Sequence, residues 1–425
     1  MSQVYHNPPP DVWADICKRP RVDSDDLLET ISEIFEMVAQ DGDAALHRLT
    51  EKYDGMRPDV LRIDLNSLAP EIDLELQAAI RLAISNIRKF HQAHIPSGRE
   101  IETCAGVRCR TKYLPINSVG LYIPGGSASL FSTVMMLVIP AQLAACKQIV
   151  LCTPPSATGV DPLVAWTAKE LGLKTIYTVG GAQAVAAMSI GTATVPQVDK
   201  VFGPGNQYVT QAKMFSQRYG TAIDMPAGPS EVLVLADADS RADWVAVDLL
   251  SQAEHGIDSQ VVLLSQDLDL IAQVREQIQK QLRDLPREKI AREALQHARY
   301  IYMSDKEACL ALADEYAPEH LVIATKNAEA DAERITQAGS IFVGALCCES
   351  LGDYASGTNH SLPTGGWARS HGGVNVNSFR RAMTLQTITT AGLQVLGPVV
   401  EKLARAEGLE AHARAVSLRL STDGA

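Results

Sequence analysis

Residues 249–260 read LLSQAEHGIDSQ, an apolar helical run that turns polar at Gln252, Glu254 and His255 and stops at Gly256. Gln252 and His255 are three apart, so on a helix they share a face and present an amide beside an imidazole. Three more places combine proton-transfer or metal-ligating types: Glu319-His320 in YAPEHLVIAT, Asp353 in LGDYASGTNH, and Glu407 with His412 in EGLEAHARAV. The Glu-His pair stands just ahead of an apolar strand, and Pro318 excludes a continuing helix behind it. A single histidine is more often a satisfied core or surface residue, but the four groups together point to one site. Imidazole and carboxylate oxygen suit zinc among common metals; glutamine is an unusual ligand, and residue types alone leave manganese and cobalt open. His360, seven residues beyond Asp353, reads as a loop-stabilising hydrogen-bond partner, and His6, His91, His94 and His371 read as structural.

The elements that must position these groups follow from periodicity. Residues 26–37 and 43–52 read as helices, and LELQAAIRLAISNIRKFHQAHI as a long amphipathic one. From Val119 onward, SVGLYIPGG, QIVLCTPP, KTIYTVGG and KVFGPGN recur about every 25 to 30 residues, the scale of βα units in a parallel sheet. The alternation continues through SEVLVLAD, the helix ADWVAVDLLSQAEH, SQVVLLS, a helix over 267–283, ARYIYMS, HLVIAT and GSIFVG, and two sheet-based units fit it better than one. Beyond Ser350 lies a glycine-rich loop segment, LGDYASGTNHSLPTGGWARSHGG, and residues 390–420 return to helix. Glycine loops at strand ends suit a dinucleotide, because backbone N–H groups can approach phosphate there. GPGNQY is not the full GxGxxG fingerprint, since Tyr208 stands at the third glycine, and Gly180, Gly181, Gly203 and Gly205 read equally as tight turns.

The bulk properties narrow the partners. A net charge of −12 over 425 residues argues against nucleic acid or an anionic membrane, both of which need a basic surface. The start, MSQVYHNPPPDVWADICKRP, lacks the basic and apolar regions of a signal peptide. The most apolar stretch, VMMLVIPAQLAAC, is broken by Pro140 and Gln142 and is shorter than the ~20 residues a bilayer needs. Eight cysteines without a CxxC pair imply a reducing cytoplasm; Cys146 and Cys152 read as buried thiols, and adjacent Cys347 and Cys348 point to opposite faces of an extended segment.

Taken together, GLYIPGG, GGAQAV, FGPGNQYVTQAK, IDMPAGPSEVLVLAD, LLSQAEHG, APEHL and GDYASGTNHSLPT closely resemble histidinol dehydrogenase, in order from about Val119 to the last helix. The resemblance implies two successive oxidations, L-histidinol to the aldehyde and then to L-histidine, with two NAD and one water. It implies zinc held by Gln252, His255, Asp353 and His412, and a catalytic pair Glu319 and His320. Ser230 and Glu407, together with the metal ligands and His320, would contact substrate, and Tyr122, Gln183 and Asn206 would contact NAD. It also implies an intertwined cytoplasmic homodimer whose active sites are shared, the tail carrying Glu407 and His412 crossing to the partner. Two departures stand out: Cys348 occupies a position where many relatives carry proline, and SHGGVNVNSF differs from the Ser-Gly-Leu sequence common after LPTGG. Neither touches an expected ligand.

The expected architecture is α/β, with two incomplete Rossmann-like parallel-sheet domains and small helical N- and C-terminal segments. Residues 1–20 form an N-terminal segment. Residues 21–120 with 232–374 make a first domain carrying most zinc and catalytic residues, 121–231 an inserted domain with the NAD loops, and 375–425 a helical tail reaching the partner. His320, with an ordinary pKa near roughly 6.5, suits removal of the hydroxyl proton, and Glu319 suits activation of water for the second oxidation. Zinc is expected to act as a template for the substrate's imidazole and amine. Two rival readings are a zinc-dependent hydrolase in which Glu319 activates water, and a non-catalytic binding protein of the same fold. The joint presence of Glu319, His320 and all four ligand positions counts against the latter.

Overall fold

Glu231–Ala236 and Gln260–Ser265 are buried along their whole length, the pattern of strands covered on both faces. In the computed structural model, which describes residues 4–19, 24–125, 129–157, 159–226 and 228–421, they lie at the centre of a six-stranded sheet. Gly126 of GLYIPGG and Ala227 of MPAGPSE lie outside the described residues. This second sheet in chain order runs Val4–His6, Arg299–Tyr302, Gln260–Ser265, Glu231–Ala236, His320–Ile323, Ser340–Val343, all parallel. After the edge strand Val4–His6, the chain enters the centre at Glu231–Ala236, builds outward to one side, then crosses back, so the order reverses between Glu231–Ala236 and His320–Ile323.

The first sheet repeats the plan. Its order is Arg62–Asp64, Thr175–Thr178, Gln148–Thr153, Ser118–Tyr122, Lys200–Phe202, Ala222–Ile223, parallel except for the antiparallel Arg62–Asp64 edge. Here the reversal falls between Ser118–Tyr122 and Lys200–Phe202. Helices Leu74–Ala93, Phe131–Leu143 and Pro162–Glu170 bury Ile80, Ile87, Leu137 and Val164 in one core. Helices Asp43–Asp54, Gly181–Ile190 and Gln207–Ser216, with Ile31 and Phe35 of Ser24–Asp41, form a second core. Two further cores, around Leu249 and Val274 and around Leu310 and Tyr316, belong to the second sheet. Phe131–Leu143, the apolar stretch with Pro140, is a wholly enclosed core helix, and no helix among the described residues is long and apolar enough to cross a membrane.

Both sheets match the expected α/β class, but the expected partition of the chain differs from the observed packing. Arg62–Asp64 joins the first sheet, and the helices between residues 24 and 54 pack on that sheet too, although 21–120 was assigned to the second. Val4–His6 is an edge strand of the second sheet rather than part of a separate segment. Three-residue edge strands are too short for a side-chain period to announce them, although Val4, Tyr5 and Ile63 pack against the cores.

A smaller compact unit comprises Ile95–Pro115 and Arg380–Ala425. The segment from 375, expected as wholly helical, contributes a nine-residue strand, Arg380–Ile388, paired antiparallel with Val107–Pro115 so that Thr384 faces Thr111. Glu100–Cys104 completes that sheet. Most of Arg380–Ile388 is exposed, which removes the alternation that marks a half-buried strand. Helices Thr390–Ala406 and Glu410–Leu420 follow, separated at Gly408, whose φ of +74° ends the first helix.

Leu74–Ala93 bears on the site because Asn86 donates to the Ala355 carbonyl, just beyond Asp353. On the same helix His91 is buried with neither ring nitrogen partnered, and burial lowers its pKa from 6.5 to about 4. The unfolded chain therefore takes up this proton before the folded one does. The stabilisation is complete above pH 6.5 and is lost as pH falls to about 4. Calorimetry between those limits should show the wild type losing roughly 2–3 kcal/mol more than His91→Leu; equal acid slopes would clear His91 of any part in acid lability.

Candidate active site

A cleft of about 260 Å³ opens where the two sheets meet by opposite ends. Its one wall is the carboxyl edge of the first sheet at its reversal, with Pro124, Gly125, Gly203 and Asn206. Such a crevice is where open α/β sheets take ligands. The other wall is the amino edge of the second sheet, where Ser230, Glu319 and His320 stand at the starts of the two central strands. The carboxyl ends of those strands are closed instead by local bonds, Ser240 donating to the Ala324 carbonyl and Lys326 N to Asp237. A larger surface groove of about 880 Å³ beside Leu268–Gln281 is lined by Arg275, Glu276 and Arg292 but no histidine, so it offers no comparable chemistry.

The Glu-His pair is set by the turn that precedes its strand. Ala317, at φ +48°, ends helix Lys306–Tyr316, and Pro318 leads into the strand. The Glu319 carbonyl accepts from Ser340 N, and a Cβ on Gly339 would come within 2.6 Å of that carbonyl oxygen, so residue 339 must be glycine. The Glu319 side chain accepts from Glu231 N at 2.9 Å. His320 Nδ1 lies 3.3 Å from the Glu231 carbonyl; a carbonyl only accepts, so Nδ1 carries hydrogen. Nε2 then faces Asp353 Oδ1 at 3.5 Å, long for a hydrogen bond, and has no closer partner.

Electrostatics follow from crowding carboxylates in a dry place. Burial pushes Glu319 up to about 8 and Glu349 up to about 8. Burial alone would lower His320, but Glu349, Glu319 and Asp353 outweigh it and push the imidazole up to about 10. Asp353 is raised by burial, yet the charge of the nearby His320 prevails and holds it below its ordinary value. These are properties of the side chains alone, and a cation among them would lower every one.

The residues fit a divalent cation. Gln252, fully buried, leaves both its amide oxygen and nitrogen unpartnered, as are Glu349 Oε2 and Asp353 Oδ1. Unsatisfied buried polar atoms are costly, and a missing ion is one standard cause. Donor atoms of His255, Glu349 and Asp353 all lie within 4.8 Å of one another. Helix Ala242–Ala253 ends before His255, so Gln252 belongs to its last turn while His255 sits in the following turn, tied by His255 N to Gln252 O. Asp353 is not in a loop as its glycine-rich surroundings suggested. It lies on the short helix Glu349–Tyr354, and Gly352 allows that helix onto Phe342, where a Cβ would come within 2.7 Å of the ring. Glu349, one turn before Asp353, is not among the residues expected from sequence; its signal is the i, i+4 spacing, which a loop beginning at Leu351 does not reveal.

Other expected residues fare differently. Ser230 lines the cleft. His360 bonds the Asp353 carbonyl through Nδ1 and accepts from Thr133 at Nε2, the loop-holding role expected of it. Asn206 lines the cleft, but its Oδ1 caps helix Gln207–Ser216 by accepting from Tyr208 N and Val209 N. Tyr122 accepts from Gly181 N and Gln183 donates to Asp54; both are buried and neither lines the cleft. Gly180, Gly203 and Gly205 are tight against Pro154, the Tyr122 carbonyl and Val209 respectively, so close packing alone requires them. Glu407 and His412 belong to the smaller unit, exposed on either side of Gly408. Burial pushes the Cys146 thiol up to about 11 and Cys152 higher still, which suits neither to attack.

Replacing Gln252 by Leu removes two unpaired polar atoms at similar volume. Zinc affinity measured by chelator competition should fall more than about tenfold, while the metal-free variant melts no lower than the metal-free wild type. Full retention of zinc affinity would show that the amide is not a ligand.

The model of the family described as histidinol dehydrogenase matches residues 17–420. Histidinol dehydrogenase of Bacteroides thetaiotaomicron is 46% identical over 426 residues, covering 99% of this chain and all of that one. The Salmonella typhimurium enzyme of the same name is 47% identical over 409 residues, 95% of this chain and 94% of the relative. The crystal structure of histidinol dehydrogenase from Elizabethkingia anophelis superposes with a TM-score of 0.94 at 49% identity, covering 99% and 98% of the two chains. Betaine aldehyde dehydrogenase of Staphylococcus aureus, 12% identical with a TM-score of 0.51 and 85% of each chain covered, shares the fold alone.

Proposed function

The chain belongs to the histidinol dehydrogenase family, and from that premise we propose that Glu319 and His320 carry its proton transfers in a zinc- and NAD-dependent cleft. The family's reaction is the oxidation of L-histidinol to L-histidine, the last step of histidine biosynthesis, and membership disposes of the hydrolase and non-catalytic readings. The observation that carries the residue assignment is the buried Glu319-His320 pair, 3.7 Å apart at the mouth of two strands and opening on the cleft.

Each oxidation removes a hydride from carbon and a proton from oxygen. NAD, when bound, supplies the hydride acceptor. In the cation-loaded site, where the added positive charge would leave its imidazole neutral, His320 would take the hydroxyl proton of the alcohol at Nε2, its other nitrogen being committed to Glu231. The aldehyde must then gain the elements of water, and Glu319, whose carboxylate faces His320, removes the proton of that water. Gln252, His255 and Asp353 would hold zinc, with His412 as fourth ligand. The ion, when bound, serves as a template for the substrate's imidazole and amine. Ser230 and Glu407 complete the substrate contacts. Asn206 contacts NAD from the cleft wall, while Tyr122 acts by holding Gly181 N and Gln183 by tying its helix to Asp54.

We assign the active form as a homodimer in the cytoplasm, with Glu407 and His412 supplied to the partner's site. Helix Thr390–Ala406 exposes Val395, Val399 and Leu403 at 62%, 52% and 62%, one apolar stripe at i, i+4, i+8 just ahead of Glu407. An exposed stripe of this kind marks a surface that seeks a partner. The eight unpaired cysteines suit a reducing compartment.

Two experiments test these assignments. His320→Ala should slow oxidation of histidinol, and Glu319→Gln chiefly that of histidinaldehyde supplied directly, each by roughly 10²-fold or more in NADH appearance; a wild-type aldehyde rate in Glu319→Gln excludes it as the water-activating base. Co-refolding equal amounts of His320→Ala and His412→Ala chains should recover about a quarter of wild-type activity, because half the dimers are mixed and each rebuilds one site. Mixed dimers that stay inactive would place His412 in its own chain's site.

A further inference from the structure

Gly203, the first residue past strand Lys200–Phe202, stands at the reversal of the first sheet, where no ladder partner awaits it. Its φ is +131°, and a Cβ would lie 2.2 Å from the Tyr122 carbonyl oxygen, so the backbone turns out of the sheet here. Both polar groups of Gly203 are met by one buried ion pair. Gly203 N–H donates to Asp224 Oδ2 at 2.9 Å, and the Gly203 carbonyl accepts from Lys213 Nζ at 2.8 Å. Lys213 Nζ and Asp224 Oδ1 close the ring at 2.5 Å, with side chains 1% and 2% exposed.

A buried ion pair gives little net stability over an apolar pair of similar volume, because both charges lose their hydration. What it does supply is direction: two charge-assisted bonds to one residue's backbone. Lys213 sits on helix Gln207–Ser216, whose N-cap is Asn206. The loop 203–206 is thus fastened at its start by Lys213 and Asp224 and at its end by the Asn206 cap, and this loop forms the cleft wall.

We propose that Lys213 and Asp224 are positioning residues for the dinucleotide, acting through Gly203 to hold the 203–206 wall in its binding shape. This rests on the reading above that NAD is bound by that wall. The ring belongs to the first-sheet wall of the cleft, which Asp224 itself lines, whereas Glu319, His320 and Gln252 reach the cleft from the second sheet, so its loss should weigh on the dinucleotide more than on the substrate.

The test is the neutral double variant Lys213→Met/Asp224→Asn, which leaves no buried charge unpaired, beside the conservative Lys213→Arg. With zinc-loaded enzyme, the double variant should raise KM and the calorimetric Kd for NAD by about tenfold or more. KM for histidinol, zinc content and kcat at saturating NAD should stay within about twofold, and Lys213→Arg should recover part of the NAD affinity. An unchanged NAD affinity overturns the inference, and so does an equal rise in both KM values or a loss of zinc, which would mark general loosening. Should the double variant fail to fold, the second neutral pair Lys213→Gln/Asp224→Asn is read against the same criteria. A wild type that reduces no NAD with histidinol would defeat the dinucleotide reading itself, and this inference with it.

Discussion

Three buried carboxylates, Glu319, Glu349 and Asp353, share a small space with the imidazole of His320 and an amide, Gln252, that bonds to nothing. Like charges that close in a poorly hydrated site repel strongly and resist ionisation. The protonated imidazole offsets part of this, which is why His320 is driven up while Glu319 and Glu349 remain hard to ionise. A chain free to relax would turn these groups to water. They stay because each is fastened to the end of a rigid element: Glu319 and His320 at a strand start, Glu349 and Asp353 along one short helix, Gln252 in a helix's final turn. Crowded carboxylates of this kind favour a cation among them, which would relieve their mutual repulsion.

Two glycines make that crowding possible. Gly339 lets Ser340–Val343 approach the Glu319 backbone, and Gly352 lets the Asp353 helix lie against Phe342, whose ring is 5.9 Å from that of His320. Each removes one side chain's thickness between elements whose functional groups must meet. The same logic operates in the first sheet, where Gly203 closes on Tyr122.

The two sheets have the same strand order but face the cleft with opposite edges. The first offers its carboxyl edge, with the turns at Gly125 and Gly203; the second offers its amino edge, with Glu319, His320 and the unpartnered polar atoms of Gln252 and Asp353, which the proposed function makes the proton-transfer pair and metal donors. A hydride acceptor and a base have to reach the same substrate carbon and oxygen from different sides. Two copies of one topology, turned end to end, meet that demand with no long loop.

Much of this was legible in the order of residues. The central strands are continuous Val/Ile/Leu runs because both faces are buried, and such runs declare themselves without a structure. The unusual types also stood out: an amide beside an imidazole at a helix end, and Glu-His after proline. What the sequence could not carry was the meeting of segments. Arg62–Asp64 and Arg380–Ile388 are held by backbone bonds, which leave no mark on side-chain type. Glu349 resembles any surface glutamate until the Asp353 helix folds onto Phe342 and buries it. Tyr122 and Gln183 have the right types for a ligand contact, yet their polar atoms are directed at Gly181 and Asp54. The kinds of chemistry available, and the βα order that carries them, were determined by sequence alone, since composition and period act locally. Which groups are desolvated, which face one another and which merely hold a turn was decided by tertiary structure, because burial and distance depend on residues remote in the chain.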